Sequence, residues 1–225
     1  MIKNIFLDAG GVILDERELE KNSARIITEL IKGHNENYSL ENYREDAEEA
    51  VYRFVPGVYN YILYKNAKDI AVFHDLKKQY KERMRSNITF ELMEGITDFL
   101  KEFSQHYRIG ILGQYGEDFK EFLDAKNVLP YFTYRETQAG YQITKPDPRY
   151  FEAILRQCNC AADESVMIGD RIDKDIIPAK MIGMKTIRVR TGLHKNQEAR
   201  VPEEMADFTV DRLEEIKKQW RKLWN

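Results

Sequence analysis

A short apolar run, Ile5-Phe6-Leu7, lies within a few residues of the N-terminus and stops abruptly at Asp8, which Gly10 and Gly11 follow. Such a run reads as a buried strand. A carboxylate at the carboxyl end of a buried strand is costly unless it meets a cation or hydrogen-bond donors. The two glycines allow a sharp turn and a close approach of backbone to a ligand. An acid placed so suits a carboxylate nucleophile or a metal ligand; a solvated aspartate in a strand-to-loop turn is the plainer alternative.

The same texture returns late in the chain. Arg108 to Leu112, Val166-Met167-Ile168, Lys185 to Val189 and Phe208-Thr209-Val210 are short strand-like runs, with a brief one near Phe132 to Arg135. Amphipathic stretches alternate with them. Leu92, Ile96, Phe99, Leu100 and Phe103 share one helical face; Glu117 to Lys126 is helical; Phe151, Ile154, Leu155 and Cys158 recur at helical spacing after Pro148. A helix near Asp175 tolerates Pro178 in its first turn and stops at Gly183, and a last one covers Asp211 to Trp224. Helices alternating with short strands predict a parallel sheet covered on both faces, an α/β, Rossmann-like core.

Residues 16–87 read differently, as helices alone. Leu19, Ile26, Ile27, Leu30 and Ile31 face one way before Gly33; Ser39 can cap a helix carrying Leu40, Tyr43, Ala47, Ala50, Val51 and Phe54. Pro56-Gly57 breaks it. A further helix over Lys68 to Arg85 turns Phe73, Leu76, Tyr80 and Met84 inward. The domains expected are therefore 1–15 with 88–225 as the core, and 16–87 as an all-helical insertion. Aromatics around Pro56-Gly57 (Tyr52, Phe54, Tyr59, Tyr61, Tyr64) serve packing by default, and make this segment the best choice for substrate contact.

Composition excludes several classes. A net charge of −3 over 225 residues offers no basic field for nucleic acid. No apolar run approaches membrane-spanning length and no secretory segment is read, so a cytoplasmic protein is expected. The two cysteines, Cys158 and Cys160, exclude a disulfide framework and lack a companion pair for a metal. His34, His74, His106 and His194 are scattered, with surface or satisfied roles by default, and Trp220 and Trp224 are expected at least partly docked.

Open α/β sheets bind ligands at the carboxyl ends of their strands. Three such ends carry Asp8, Gly113-Gln114 and Gly169-Asp170, and Lys145 stands in Thr-Lys-Pro-Asp-Pro before a helix. Two carboxylates, a lysine and glycine-freed amides suit the holding of a phosphoryl group with Mg²⁺, which wants a few hard oxygen ligands and keeps waters.

With Asp8, Gly11 and Val12, then Lys145-Pro146-Asp147-Pro148, then Gly169-Asp170 with Asp175, Ala179, Gly183 and Met184, the chain resembles the haloacid dehalogenase-like hydrolase superfamily over nearly its whole length. The branch resembled carries a helical cap inserted after the first motif. The resemblance implies a Mg²⁺-dependent phosphatase of small phosphorylated metabolites. Asp8 would attack phosphorus and form an aspartyl-phosphate, and Lys145 would contact both phosphate and Asp8. Asp8, the carbonyl of Gly10 and Asp170 would hold Mg²⁺, with Gly113 and Gln114 on the substrate. Asp175 would orient the site from behind the metal ligands, or serve as an ordinary helix N-cap.

Two positions depart from the resemblance. Gly10 stands where these phosphatases usually carry a second aspartate as general acid and base, and Gly113 replaces a serine or threonine. Two further readings are therefore carried: a catalytically weak or inactive module that binds a phospho-ligand or a partner, and a dehalogenase. Asp170 speaks against the latter, since halide displacement needs no metal carboxylate.

Overall fold

The structure is a computed structural model and describes residues 1–85, 89–113, 116–135 and 143–224, with side chains except those of 219 and 221–224. It divides into two compact units, Met1–Asp15 with Phe90–Asn225, and Glu16–Thr89.

The first unit is a five-stranded, wholly parallel sheet in the order β2-β1-β3-β4-β5. Its strands are β1 (Asn4–Leu7), β2 (Arg108–Ile111), β3 (Ser165–Gly169), β4 (Lys185–Val189) and β5 (Phe208–Val210). Successive side chains on a strand point to opposite faces, and both faces here are apolar. Ile5, Leu7, Ile109, Ile111, Val166 and Ile168 join a core with Phe99, Phe103, Phe119 and Trp220. Phe6, Leu112 and Met167 join another with Tyr150, Phe151, Ile154 and Ala179. Trp220 docks by donating to the Tyr107 hydroxyl at 2.7 Å and packing edge-on to Phe103. The expectation for the Trp224 side chain lies outside the described residues.

Among the described residues the second unit holds four α-helices, α1 (Arg17–Lys32), α2 (Leu40–Tyr52), α3 (Val58–Lys65) and α4 (Ile70–Arg85). Ser39 caps α2 through a reciprocal exchange with Asn42. This leaves Leu40 as the first helical residue, 43% exposed rather than inward. Phe54 also leaves the inward face. It ends α2 with φ of 56°, and the Val55 amide reaches back to the Ala50 carbonyl, a closure that usually takes glycine. α4 starts two residues later than expected because the Asp69 side chain accepts from the Val72 amide. Buried Asp46 accepts from the Tyr38 hydroxyl at 2.9 Å, from Asn66 at 2.7 Å and from Lys65.

In the first unit the remaining helices are α5 (Ile96–Phe103), α6 (Glu117–Ala125), α7 (Pro148–Gln157), α8 (Ile177–Met181) and α9 (Leu213–Trp224). The strand expected near Phe132 to Arg135 is a single bridge between Gly110 and Tyr134. Both the Thr133 and Tyr134 amides converge on the Ile109 carbonyl, and the Arg135 side chain takes that of Phe132. A ladder cannot propagate from donors spent on one acceptor. No helix among the described residues is long and apolar enough to cross a membrane.

Candidate active site

Parallel pairing sets Leu7 beside Ile111 and Ile168, so β1, β2 and β3 end at one edge of the sheet. Asp8 follows β1, with its amide donating to the Ile168 carbonyl at 2.9 Å. The loop beyond it closes tightly: the Ile13 and Leu14 amides both reach the Ala9 carbonyl, and the Gly11 amide reaches that of Leu14. Gly11 has φ of +68°, and a Cβ there would meet Thr191 Oγ1 at 2.9 Å and Asp170 Cγ at 3.0 Å. Only glycine suits both the conformation and the space. The Thr191 hydroxyl donates to the Gly11 carbonyl at 2.6 Å. The Gly10 carbonyl has no partner among the described residues.

The Lys145 ammonium donates to Asp8 Oδ1 at 2.8 Å and to Asp175 Oδ1 at 2.7 Å. Asp147 then caps α7 by accepting from the Arg149 amide, with Pro148 at its first position. Asp175 is fully buried. It does not act as the N-cap of the helix that follows. It lies inside a π-helical turn, Ile172–Ile176, and its Oδ2 reaches back to the Arg171 amide at 3.0 Å. A Cβ on Gly169 would meet the Asp175 Cβ at 2.4 Å, so glycine at the end of β3 makes room for this carboxylate.

Burial works against the Lys145 charge, but Asp175 and Asp8 outweigh it and hold the ammonium protonated well above the usual lysine range. Burial, reinforced by the negative charge of Asp8, pushes Asp175 up to about 6 against the pull of Lys145. One cation thus serves two facing carboxylates.

Asp8, Asp170 and Asp175 each present a carboxylate oxygen within 4.8 Å of the others. These hard oxygens suit Mg²⁺. Both oxygens of Asp175 are already engaged, one by Lys145 and one by the Arg171 amide. The carboxylates that fit an ion are therefore Asp8 and Asp170, with Asp175 behind them. Gly113 is buried after β2, and its carbonyl accepts from the Tyr150 hydroxyl at 3.1 Å. Gln114 and Tyr115 lie outside the described residues.

Sequence reasoning missed several neighbours. Arg188 on β4 is buried, and its guanidinium reaches the Asp170 carbonyl. Gln197 is buried against Ile172 and Asp173. The available signal was an arginine inside an otherwise buried strand. His194, expected at the surface or satisfied, is buried with Nδ1 unpartnered among the described residues.

The HAD-hydrolase-like family model matches residues 142–216. Glyceraldehyde 3-phosphate phosphatase of Methanocaldococcus jannaschii is 29% identical over 196 residues, covering 85% of this chain and 76% of that protein. Phospholysine phosphohistidine inorganic pyrophosphate phosphatase of Bos taurus is 36% identical over 92 residues, 40% of this chain and 34% of that protein. Among solved structures, a HAD phosphatase from Thermococcus onnurineus aligns with a TM-score of 0.61 at 20% identity, over 97% of this chain and 98% of its own. YfnB of Bacillus subtilis, bound to magnesium, aligns at 0.67 and 16% identity over 100% and 99%. Sheet topology and these neighbours together define a Rossmann-like core of the kind that the matched phosphatases carry. The chain is similar to the haloacid dehalogenase-like hydrolases, by the family model over residues 142–216 and by its fold.

Proposed function

We propose that this phosphatase hydrolyses small organic phosphates through an aspartyl-phosphate on Asp8 and depends on Mg²⁺. The observation that carries the reading is the Lys145 ammonium held between Asp8 and Asp175. It aims one Asp8 oxygen, at 2.8 Å, leaving the other for chemistry. Lys145 also offsets charge on the bound phosphoryl group, and the Gly113 amide and Gln114 would add donors. Asp8, the Gly10 carbonyl and Asp170 would hold Mg²⁺, which when bound neutralises phosphate oxygens and orients them. Asp175 fixes Lys145 and the turn after Asp170.

The helical insertion Glu16–Thr89 would act as the cap that selects substrate. A three-carbon sugar phosphate, as in the name of the M. jannaschii relative, is the first substrate to assay. Free, half-buried Cys158 and Cys160 accord with a reducing cytoplasm.

The test is Asp8→Asn, assayed with an aryl phosphate with and without Mg²⁺. A folded variant without turnover, and a parent silenced by EDTA, are expected. Near-normal activity in the folded variant would overturn the mechanism.

A further inference from the structure

Arg188 is a buried cation that makes no ion pair among the described residues. Its guanidinium is spent on main-chain carbonyls: Nε on Asp170 at 3.2 Å, Nη1 on Gln197 at 2.6 Å and Nη2 on His194 at 2.9 Å. Burying an arginine without a contacting carboxylate is costly. Burial outweighs the attraction of neighbouring charges, but the nearby Asp170 charge draws the guanidinium and offsets part of that cost, which ties the cation to the strand end that carries that carboxylate.

The peptide joining Asp170 to Arg171 is held from both sides. Arg188 takes its carbonyl, and Asp175 Oδ2 takes its N–H at 3.0 Å. That plane cannot turn without breaking a charge-assisted hydrogen bond, and turning it would swing Asp170. The loop after β4 extends the clamp. Gln197 accepts from the Ile172 amide at 2.7 Å and donates to Asp173 at 2.8 Å, while its own carbonyl and that of His194 rest on Arg188. Lysine could not replace this arrangement, because its donors radiate from one point and do not form a planar fork.

We propose that Arg188 is a positioning residue that sets the geometry of Asp170 and with it the affinity of the site for a divalent cation. The inference rests on the reading of Asp170 as a metal ligand. Its effect falls on metal binding and turnover, not on substrate affinity.

The experiment measures Mn²⁺ binding to the full chain by electron paramagnetic resonance, alongside kcat and KM for an aryl phosphate. Arg188→Met should lose about 10-fold or more in Mn²⁺ affinity, in the range seen when groups behind metal ligands are removed. Its kcat should fall while KM moves little, and Arg188→Lys should recover only part of the loss. Arg190→Ala removes a neighbouring cation that pairs with Asp211 instead and should leave Mn²⁺ binding unchanged. Folded Arg188→Met and Arg188→Lys with parental Mn²⁺ affinity would overturn the inference, as would an equal loss in Arg190→Ala. Should Arg188→Met not fold, Arg188→Lys decides on the same criterion. Asp170→Asn separates the two levels: if it binds Mn²⁺ as the parent does, the metal reading has failed, and the Arg188 inference with it.

Discussion

The Lys145 ammonium bridges Asp175, at 2.7 Å, and Asp8, at 2.8 Å, and Asp175 is the more deeply buried of the two carboxylates. Removing the lysine would therefore strand a buried charge as well as disarm the site. Lys145→Met should cost about 3–5 kcal/mol of stability and most turnover. Adding Asp175→Asn should restore much of the stability and none of the turnover. Urea unfolding and aryl phosphatase assays on the single and double variants check both halves.

Gly10 offers no side chain to protonate a leaving oxygen, a service worth about 10²–10⁴ in rate where a general acid supplies it. Rates should fall steeply as the leaving-group pKa rises, with aryl, acyl and anomeric phosphates ahead of simple alkyl esters. A series of esters measured at saturating Mg²⁺ reads the slope. A flat response would mean that a proton comes from another residue. A three-carbon sugar phosphate, with its poor alkoxide leaving group, is the most sensitive member of the series.

Burial pushes the His194 imidazole down to about 3, with the positive charge of Arg171 adding to the effect. The unfolded chain takes a proton near 6.5 and the folded one does not. This histidine's contribution is therefore full above pH 6.5 and is lost as pH falls toward 3. Between pH 7 and pH 5 the loss should be about 2 kcal/mol, and His194→Gln should flatten that part of the stability profile. Urea midpoints across the range measure it; the same slope in the variant would assign the loss to other groups.

In the helical insertion, Asp46 gathers the Tyr38 hydroxyl, the Asn66 amide and the Lys65 ammonium. Asp46→Ala leaves the Tyr38 hydroxyl without its acceptor and the Asn66 amide with the Ile62 carbonyl alone, and should destabilise this unit by about 2–4 kcal/mol. Hydrogen exchange should show the loss in α2 and α3, with the amides of β1 and β3 protected as before.

The strands of the sheet were legible because each is a brief apolar run interrupted by glycine or a charge, and a parallel sheet buried on both faces leaves that trace. Asp8, Lys145, Asp170 and Asp175 could be nominated because they stand at strand ends or helix starts, where side chains converge without long-range information. Arg188 and Gln197 escaped because Arg188 binds main-chain carbonyls and Gln197 a main-chain amide, and main-chain groups carry no residue signature. The π-helical turn escaped too: Asp175 looks like a helix cap in sequence, and only the space left by Gly169 shows that its carboxylate turns back toward Arg171. The bridge at Tyr134 was overread as a strand, since apolar and β-branched residues around it signal extension but not how its donors are shared.

The Asp15 amide donates to the Glu91 carbonyl at 2.9 Å, and Leu14 forms a bridge with Leu92, so the chain leaves the sheet unit and rejoins it at one stapled point. Everything between, Glu16–Thr89, is a detour whose two ends are already fastened together. Lengthening such a detour costs only about 0.6 kcal/mol for each doubling of its length. The excursion can therefore grow, shrink or be exchanged during evolution with little penalty to the sheet. A lineage of such chains can rewrite one interruption while the acid at the tip of the first strand stays where it is.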